Sequence, residues 1–202
     1  MTTSRRRFAF GLAAAGLLAG CERIAGTNAA PTFHFTDITG AEFARKLELP
    51  DVDGKPRSLA DWNGKVTVVF FGYTQCPDVC PTTMAELAQI RKLLGADGDK
   101  LQTVFVTIDP ERDTAEILKA YVANFGPGVV ALRGNAEQTA AAAKEFKVFF
   151  QKVPSKTAGS YTMDHSAASF VFDPKGRVRL FVPYGSDPKV LAGDLKQLLS
   201  AA

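Results

Sequence analysis

Val66-Thr67-Val68-Val69-Phe70-Phe71 is an unbroken run of β-branched and aromatic residues that passes through Gly72-Tyr73-Thr74-Gln75 into Cys76-Pro77-Asp78-Val79-Cys80-Pro81. Such a run, with Thr67 its one polar residue and no charge on either face, spells a strand buried on both sides. Met84 to Leu94 then places apolar residues at helical spacing. A buried strand leading directly into a helix opens a βαβ unit. The loop between them lies at the carboxyl end of the strand, where sites in open α/β sheets gather.

Outward from this stretch the alternation continues. Gln102 to Ile108 reads as a second buried strand, and Thr114 to Phe125 as the next helix, with Asp113 and Glu116 as an Asp-x-x-Glu cap signature. Val129 to Leu132 is a short strand, and Asn135 to Phe146 an Ala-rich helix with Asn135 and Gln138 as cap residues. Ala168 to Phe172 and Val178 to Val182 flank the turn Asp173-Pro174-Lys175-Gly176, and Asp187-Pro188 opens a last helix with Asp as cap and Pro at its first position. Strands alternating with helices imply parallel pairing with right-handed crossovers. A βαβ half followed by a hairpin and a closing helix is the thioredoxin plan. The expected class is therefore α/β, thioredoxin-like, with a central mixed sheet flanked by helices. Phe33 to Ile38 and Leu47 to Pro50 are expected to add an N-terminal β-hairpin, with Asp51 to Gly54 turning after it.

The prolines shape the cysteine loop. Pro77 and Pro81 disfavour the α region at Cys76 and Cys80, so a stiff turn is expected, with the helix starting at or after Pro81 and Thr83 and Glu86 as its capping box. That places Cys80 at a helix N-terminus, which favours thiolate. Two soft thiolates suit Cu(I), and with an imidazole also Cu(II) or zinc. The chain has two histidines. His165, in Tyr161-Thr162-Met163-Asp164-His165-Ser166, precedes a strand in a loop that faces the cysteine turn in a thioredoxin plan. Asp164 is placed to orient its imidazole, and Asp78 is a second residue beside the metal ligands. His34 lies near the N-terminal hairpin and reads as structural. Gln75 reads as a polar loop residue.

The ends bound the compartment. Arg5, Arg6 and Arg7 precede an apolar run from Phe8 to Leu18 that is too short to span a bilayer, followed by Leu18-Ala19-Gly20-Cys21. This resembles a bacterial lipoprotein signal, with cleavage before Cys21, lipidation of its thiol, and a membrane-anchored protein on the periplasmic face of the cell envelope. Ser4 to Phe8 also resembles a twin-arginine signal, the route for proteins exported folded. Residues 1–20 thus read as a targeting segment, 21–31 as a Gly/Asn/Ala-rich tether, and 32–202 as a thioredoxin-like domain expected to bind copper at its cysteine turn. The chain carries 24 basic and 21 acidic residues, and the targeting segment holds three arginines and no acid. The remainder balances at zero, which removes the electrostatic case for nucleic acid binding. In an oxidising compartment the two remaining thiols form a disulfide, hold a metal, or are kept reduced by a partner.

Three stretches together resemble the Sco/SenC family of copper chaperones for cytochrome c oxidase. They are Val69 to Thr74 running into Cys76-Pro77-Asp78-Val79-Cys80-Pro81-Thr82-Thr83, then Val106-Thr107-Ile108-Asp109-Pro110-Glu111-Arg112-Asp113-Thr114, then Asp164-His165-Ser166. The resemblance implies copper bound by Cys76, Cys80 and His165. It also implies delivery of copper, or of reducing equivalents, to the CuA-bearing subunit of the oxidase. Another periplasmic copper chaperone or a thiol reductase would stand upstream. Many family members carry His immediately before the first Cys, where this chain has Gln75.

Two functions compete on these residues. A copper chaperone needs Cys76, Cys80 and His165. A thiol–disulfide oxidoreductase that reduces the CuA apoprotein needs only Cys76 and Cys80 as a redox pair. The three-residue interval favours copper, because thioredoxin-like reductases usually carry Cys-x2-Cys, often beside Trp, and Trp62 is distant in sequence.

Overall fold

The computed structural model describes residues 32–156 and 159–201, and its compact unit runs from Pro31 to Ala202. The targeting segment, Cys21 and the tether fall outside the described residues. Among the described residues, ten strands and four α-helices follow in chain order: β1 (Thr36–Asp37), β2 (Glu48–Pro50), β3 (Pro56–Ser58), β4 (Val66–Gly72), α1 (Val79–Leu93), β5 (Leu101–Thr107), α2 (Ala115–Ala123), β6 (Val129–Leu132), α3 (Ala136–Glu145), β7 (Phe150–Pro154), β8 (Tyr161–His165), β9 (Ser169–Phe172), β10 (Val178–Val182) and α4 (Pro188–Ser200).

The central sheet has the order β1-β10-β9-β4-β5-β6. β4, β5 and β6 are parallel, while β9 runs antiparallel to β4 and to β10. The apolar run identified β4 because a strand in the middle of this sheet has both faces covered: all seven of its residues, and all seven of β5, are buried. Consecutive residues point to opposite faces. Phe71 meets Phe146, which follows α3, at 5.0 Å between ring centroids, and Phe70 meets Phe105 at 6.2 Å on the other side. Each buried phenylalanine contributes about 1.5–3 kcal/mol by leaving water, so the two faces of β4 anchor two halves of one core. α1 and α4 pack together, and α4 also touches β4.

Side chains cap three of the helices. Asn135 and Gln138 form a reciprocal capping box on α3, Asp187 accepts from the Lys189 N–H ahead of Pro188, and Thr114 caps α2 through the Ile117 N–H. The last of these is a correction. Thr114, not Asp113, takes the N-cap position, and Asp113 turns inward to a different task.

The N-terminal hairpin exists with other strands than expected. β2 pairs with β3 around the Asp51 to Gly54 turn, with Leu49 opposite Arg57, whereas β1 pairs with β10, with Thr36 opposite Phe181. The Asp51 carboxylate accepts from the Asp53 and Lys55 N–H groups and from Arg57 Nε, which closes the turn inside the hairpin instead of after it. Asp51 also bridges to Leu132, so the hairpin covers the outer edge of β6. His34 holds this N-terminal stretch in place as a structural residue: its N–H and Nδ1 both meet the buried Asp194 carboxylate of α4 at 2.9 Å. Among the described residues no helix is long and apolar enough to cross a membrane.

Candidate metal centre

The carboxyl end of β4 delivers the chain to the centre. Gly72 shares a face with Phe70, and a side chain there has no room. A Cβ on Gly72 would lie 2.8 Å from the Cys80 sulfur, 2.9 Å from Phe70 Cε1 and 3.0 Å from Phe105 Cε2. The glycine is therefore the floor on which Cys80 rests, a close approach of the kind an interior strand glycine signals.

α1 begins at Val79, two residues before the start expected from the prolines, with Asp78 at the N-cap position. Pro81 is accommodated because it falls in the first turn, where its missing N–H has no intrahelical acceptor to lose. Thr83 does not cap; its hydroxyl donates to the Val79 carbonyl at 2.9 Å. The residue that receives the free amides is Cys76, whose sulfur accepts from the Cys80 N–H at 3.4 Å.

This inverts the expected ionisation. Cys76 is the thiolate: the Cys80 thiol donates to its sulfur, the backbone N–H groups of Asp78 and Cys80 face it, and the His165 imidazole adds attraction, so its pKa falls to about 5 against the opposing effect of burial. Cys80, fully buried, keeps its proton; donation to Cys76 and then burial push its pKa up. Both cysteines are unbridged, and their sulfurs lie within 4.8 Å of each other, so a soft metal ion could take the place of that shared proton.

His165 closes the group. It ends β8, which lies in a hairpin with β7 that the polar sequence around it did not announce. Its Nε2 is 3.7 Å from the Cys80 sulfur, and its Nδ1 is 2.9 Å from the Ser166 carbonyl oxygen. A proton on Nδ1 donated to that carbonyl leaves the Nε2 lone pair directed at the sulfurs. The ring is held edge-on by Tyr73 at 6.0 Å and by Phe70 at 6.2 Å. The expected orienting residue, Asp164, stands on the alternate, exposed face of β8, opposite Gln151, so the carbonyl does that work instead. Asp78 is likewise exposed, with Thr82 Oγ1 3.4 Å from its carboxylate, and it reaches the centre only through its backbone N–H. The ligand atoms of Cys76, Cys80 and His165 all lie within 4.8 Å of one another, and neither aspartate belongs to the group. Two soft sulfurs and one imidazole nitrogen, one sulfur deeply buried and one half-buried, fit a thiophilic ion approaching from the Cys76 side.

The run from Asp109 to Asp113 supports this centre from behind. Asp113, fully buried, accepts from the Thr74 N–H at 3.1 Å and from the Thr74 and Thr107 hydroxyls at 2.5 Å each, tying the cysteine loop to the end of β5. Burial raises its pKa. Gln75 is exposed and accepts from Arg112 Nη1 at 3.1 Å.

A dithiol at the strand-to-helix junction of a thioredoxin-like fold, completed by an imidazole from a neighbouring hairpin, defines a thioredoxin-like protein with a soft-metal centre. The SCO1/SenC profile matches residues 35–200, and the chain belongs to that family. The mitochondrial SCO2 homolog of Mus musculus is 38% identical over 140 residues, 68% of this chain and 54% of the mouse protein. The SCO2-like protein of Rickettsia prowazekii is 37% identical over 132 residues, 65% of this chain and 64% of that one. The chain thus spans about half of the first relative and under two thirds of the second. Among solved structures, copper-bound ScoI of Bradyrhizobium japonicum superimposes with a TM-score of 0.68 at 38% identity, covering 76% of this chain and 97% of that one. Apo Sco1 of Thermus thermophilus gives 0.73 at 34% identity, covering 84% and 99%.

Proposed function

We propose that this chain is a copper metallochaperone. It binds one copper ion through Cys76, Cys80 and His165 and delivers it to the CuA-bearing subunit of cytochrome c oxidase during assembly. The observation that carries the reading is the convergence of the three ligand atoms within 4.8 Å, reached from two separate segments of the chain. A structural disulfide needs no third donor, and a plain dithiol reductant needs no imidazole held by a carbonyl with its other nitrogen facing the sulfurs. The copper-bound ScoI relative supports the choice of metal. Lipidation at Cys21 would hold the domain at the periplasmic face of the membrane, where the tether from residue 21 to 31 gives it reach. The partners that follow are the oxidase subunit, an upstream copper donor, and a reductant that keeps the pair as thiols.

The full chain, reduced, is expected to retain one copper per molecule and to release it to a purified CuA-bearing domain; His165→Ala should weaken retention while sparing disulfide exchange. Equal copper retention in both proteins would refute the ligand set. A second reading rests on the split ionisation of the pair: a thiolate at Cys76 backed by a protonated Cys80 is also the arrangement of a thiol–disulfide oxidoreductase. Reduction of an oxidised CuA apoprotein that persists in His165→Ala, with no copper transferred by the native chain, would select it.

A further inference from the structure

The hairpin that carries His165 stands apart from the main sheet. β7 and β8 pair with each other and with none of the six strands of the central sheet. The cysteines belong to the body of the domain, through β4 and α1, so the third ligand is held in register with the first two by side chains. Arg112 occupies the junction. Its Nε donates to Asp109, a carboxylate 1% exposed, and its Nη1 donates to Gln75 Oε1 at 3.1 Å and to the Tyr161 carbonyl at 2.8 Å. Gln75 immediately precedes Cys76, and Tyr161 opens the strand that His165 closes. The guanidinium also lies 3.6 Å from the centroid of the Tyr161 ring, and the Tyr161 hydroxyl returns to the other oxygen of Asp109 at 2.8 Å.

We propose that Arg112 is a positioning residue of the metal centre, a clamp that fastens the His165 hairpin to the cysteine loop so that the imidazole meets the two sulfurs. The inference rests on the copper-binding reading for its metal, though the clamp itself is a property of the metal-free chain. The geometry needs arginine. A planar fork can satisfy Asp109 on one edge and two oxygens from different segments on another, while stacking on an aromatic ring; a lysine ammonium has neither the plane nor the reach. Nη2 is buried without a hydrogen-bond partner among the described residues, so the clamp works through Nε and Nη1. The same loop also reaches the hairpin through the Tyr161 hydroxyl on Asp109 and through Lys152 on Glu111, the latter solvent-exposed and correspondingly weak.

Supporting residues of metal ligands typically contribute 10–100-fold to affinity. Arg112→Ala in the full chain is therefore expected to weaken copper binding by about 10–100-fold, with loss of the histidine nitrogen coupling from the electron spin-echo signal of the Cu(II) form. Arg112→Lys should behave like Ala. In a double-mutant cycle, Arg112→Ala should add nothing to His165→Ala, since both remove the same imidazole from the metal. Additive losses, retained nitrogen coupling, or rescue by Lys would each overturn the clamp. A metal-free readout separates it from the copper reading. The His165 ring protons sit in the aromatic fields of Tyr73 and Phe70 and should move toward free-imidazole resonances in Arg112→Ala while the chain stays folded, though less stable for the loss of the buried partner of Asp109. If the native chain holds no copper yet those resonances move, the clamp stands and the copper reading falls. If they do not move, the clamp falls whatever the metal result.

Discussion

Gly72→Ala gives the sharpest test of how tightly the centre is built. The added methyl would lie 2.8 Å from the Cys80 sulfur, 2.9 Å from Phe70 and 3.0 Å from Phe105. Comfortable contact begins at about 3.5–4.0 Å, so the sulfur or its neighbours must retreat by roughly 0.7–1.2 Å. The two phenylalanines are fully buried, and Cys80 sits in the first turn of α1, whose Met84 and Ile90 are core residues. The retreat therefore falls mainly on the sulfur. Overpacking of this kind costs about 1–3 kcal/mol. Restricting the unfolded chain returns about 0.4–1 kcal/mol, because Gly72 occupies an ordinary strand conformation open to alanine. The net expectation is a loss of up to about 2.5 kcal/mol in the reduced, metal-free protein, read as a lower urea midpoint at unchanged slope. A metal site tolerates ligand displacements of only about 0.2 Å, so Cu(I) affinity, measured by competition with a chromophoric chelator, should fall at least tenfold. Unchanged midpoint and unchanged affinity would refute the claim that Gly72 is the floor of the site.

Two further outcomes follow from the pair and from the second histidine. At neutral pH iodoacetamide should modify Cys76 well before Cys80, with the Cys76 rate falling as pH drops through about 5, where its thiolate takes up a proton; first modification at Cys80, or a half-rate near the ordinary thiol value of about 8.5, would contradict the assignment of the thiolate. Asp194→Ala strips the acceptor from the His34 and Phe35 N–H groups and from His34 Nδ1, and should lower stability by about 1–3 kcal/mol with copper affinity unchanged; a drop in affinity matching that of His165→Ala would bring His34 into the metal site.

Much of the fold was legible because its information is local. β4 and β5 announce themselves through runs rich in β-branched and aromatic residues, and Asn135, Asp187 and Pro188 mark helix starts by their hydrogen-bonding or backbone chemistry. The cluster was legible too: Cys76, Cys80 and His165, expected together from their loops, lie with their donor atoms within 4.8 Å of one another. What escaped depended on contacts between distant segments. Which cysteine ionises was misjudged because Pro81 was given more weight than a first helical turn allows it, and because only the folded chain shows the Cys80 N–H aimed at the Cys76 sulfur. The β7–β8 hairpin was missed because its exposed, polar alternation lacks the core signal of the main strands. Asp113 carried a cap signature but spends its carboxylate on Thr74 and Thr107, a use that exists only when β4 and β5 lie side by side. Gly72 did carry a readable sign, a glycine ending an otherwise bulky strand just before the cysteine loop.

X-ray absorption at the copper edge of the copper-loaded full chain reads the identity of the donors directly. Two sulfurs and one imidazole nitrogen around each copper, with sulfur scattering lost in Cys76→Ser/Cys80→Ser and imidazole scattering lost in His165→Ala, is the predicted result. A shell of nitrogen and oxygen alone, or imidazole scattering that survives His165→Ala, would contradict it.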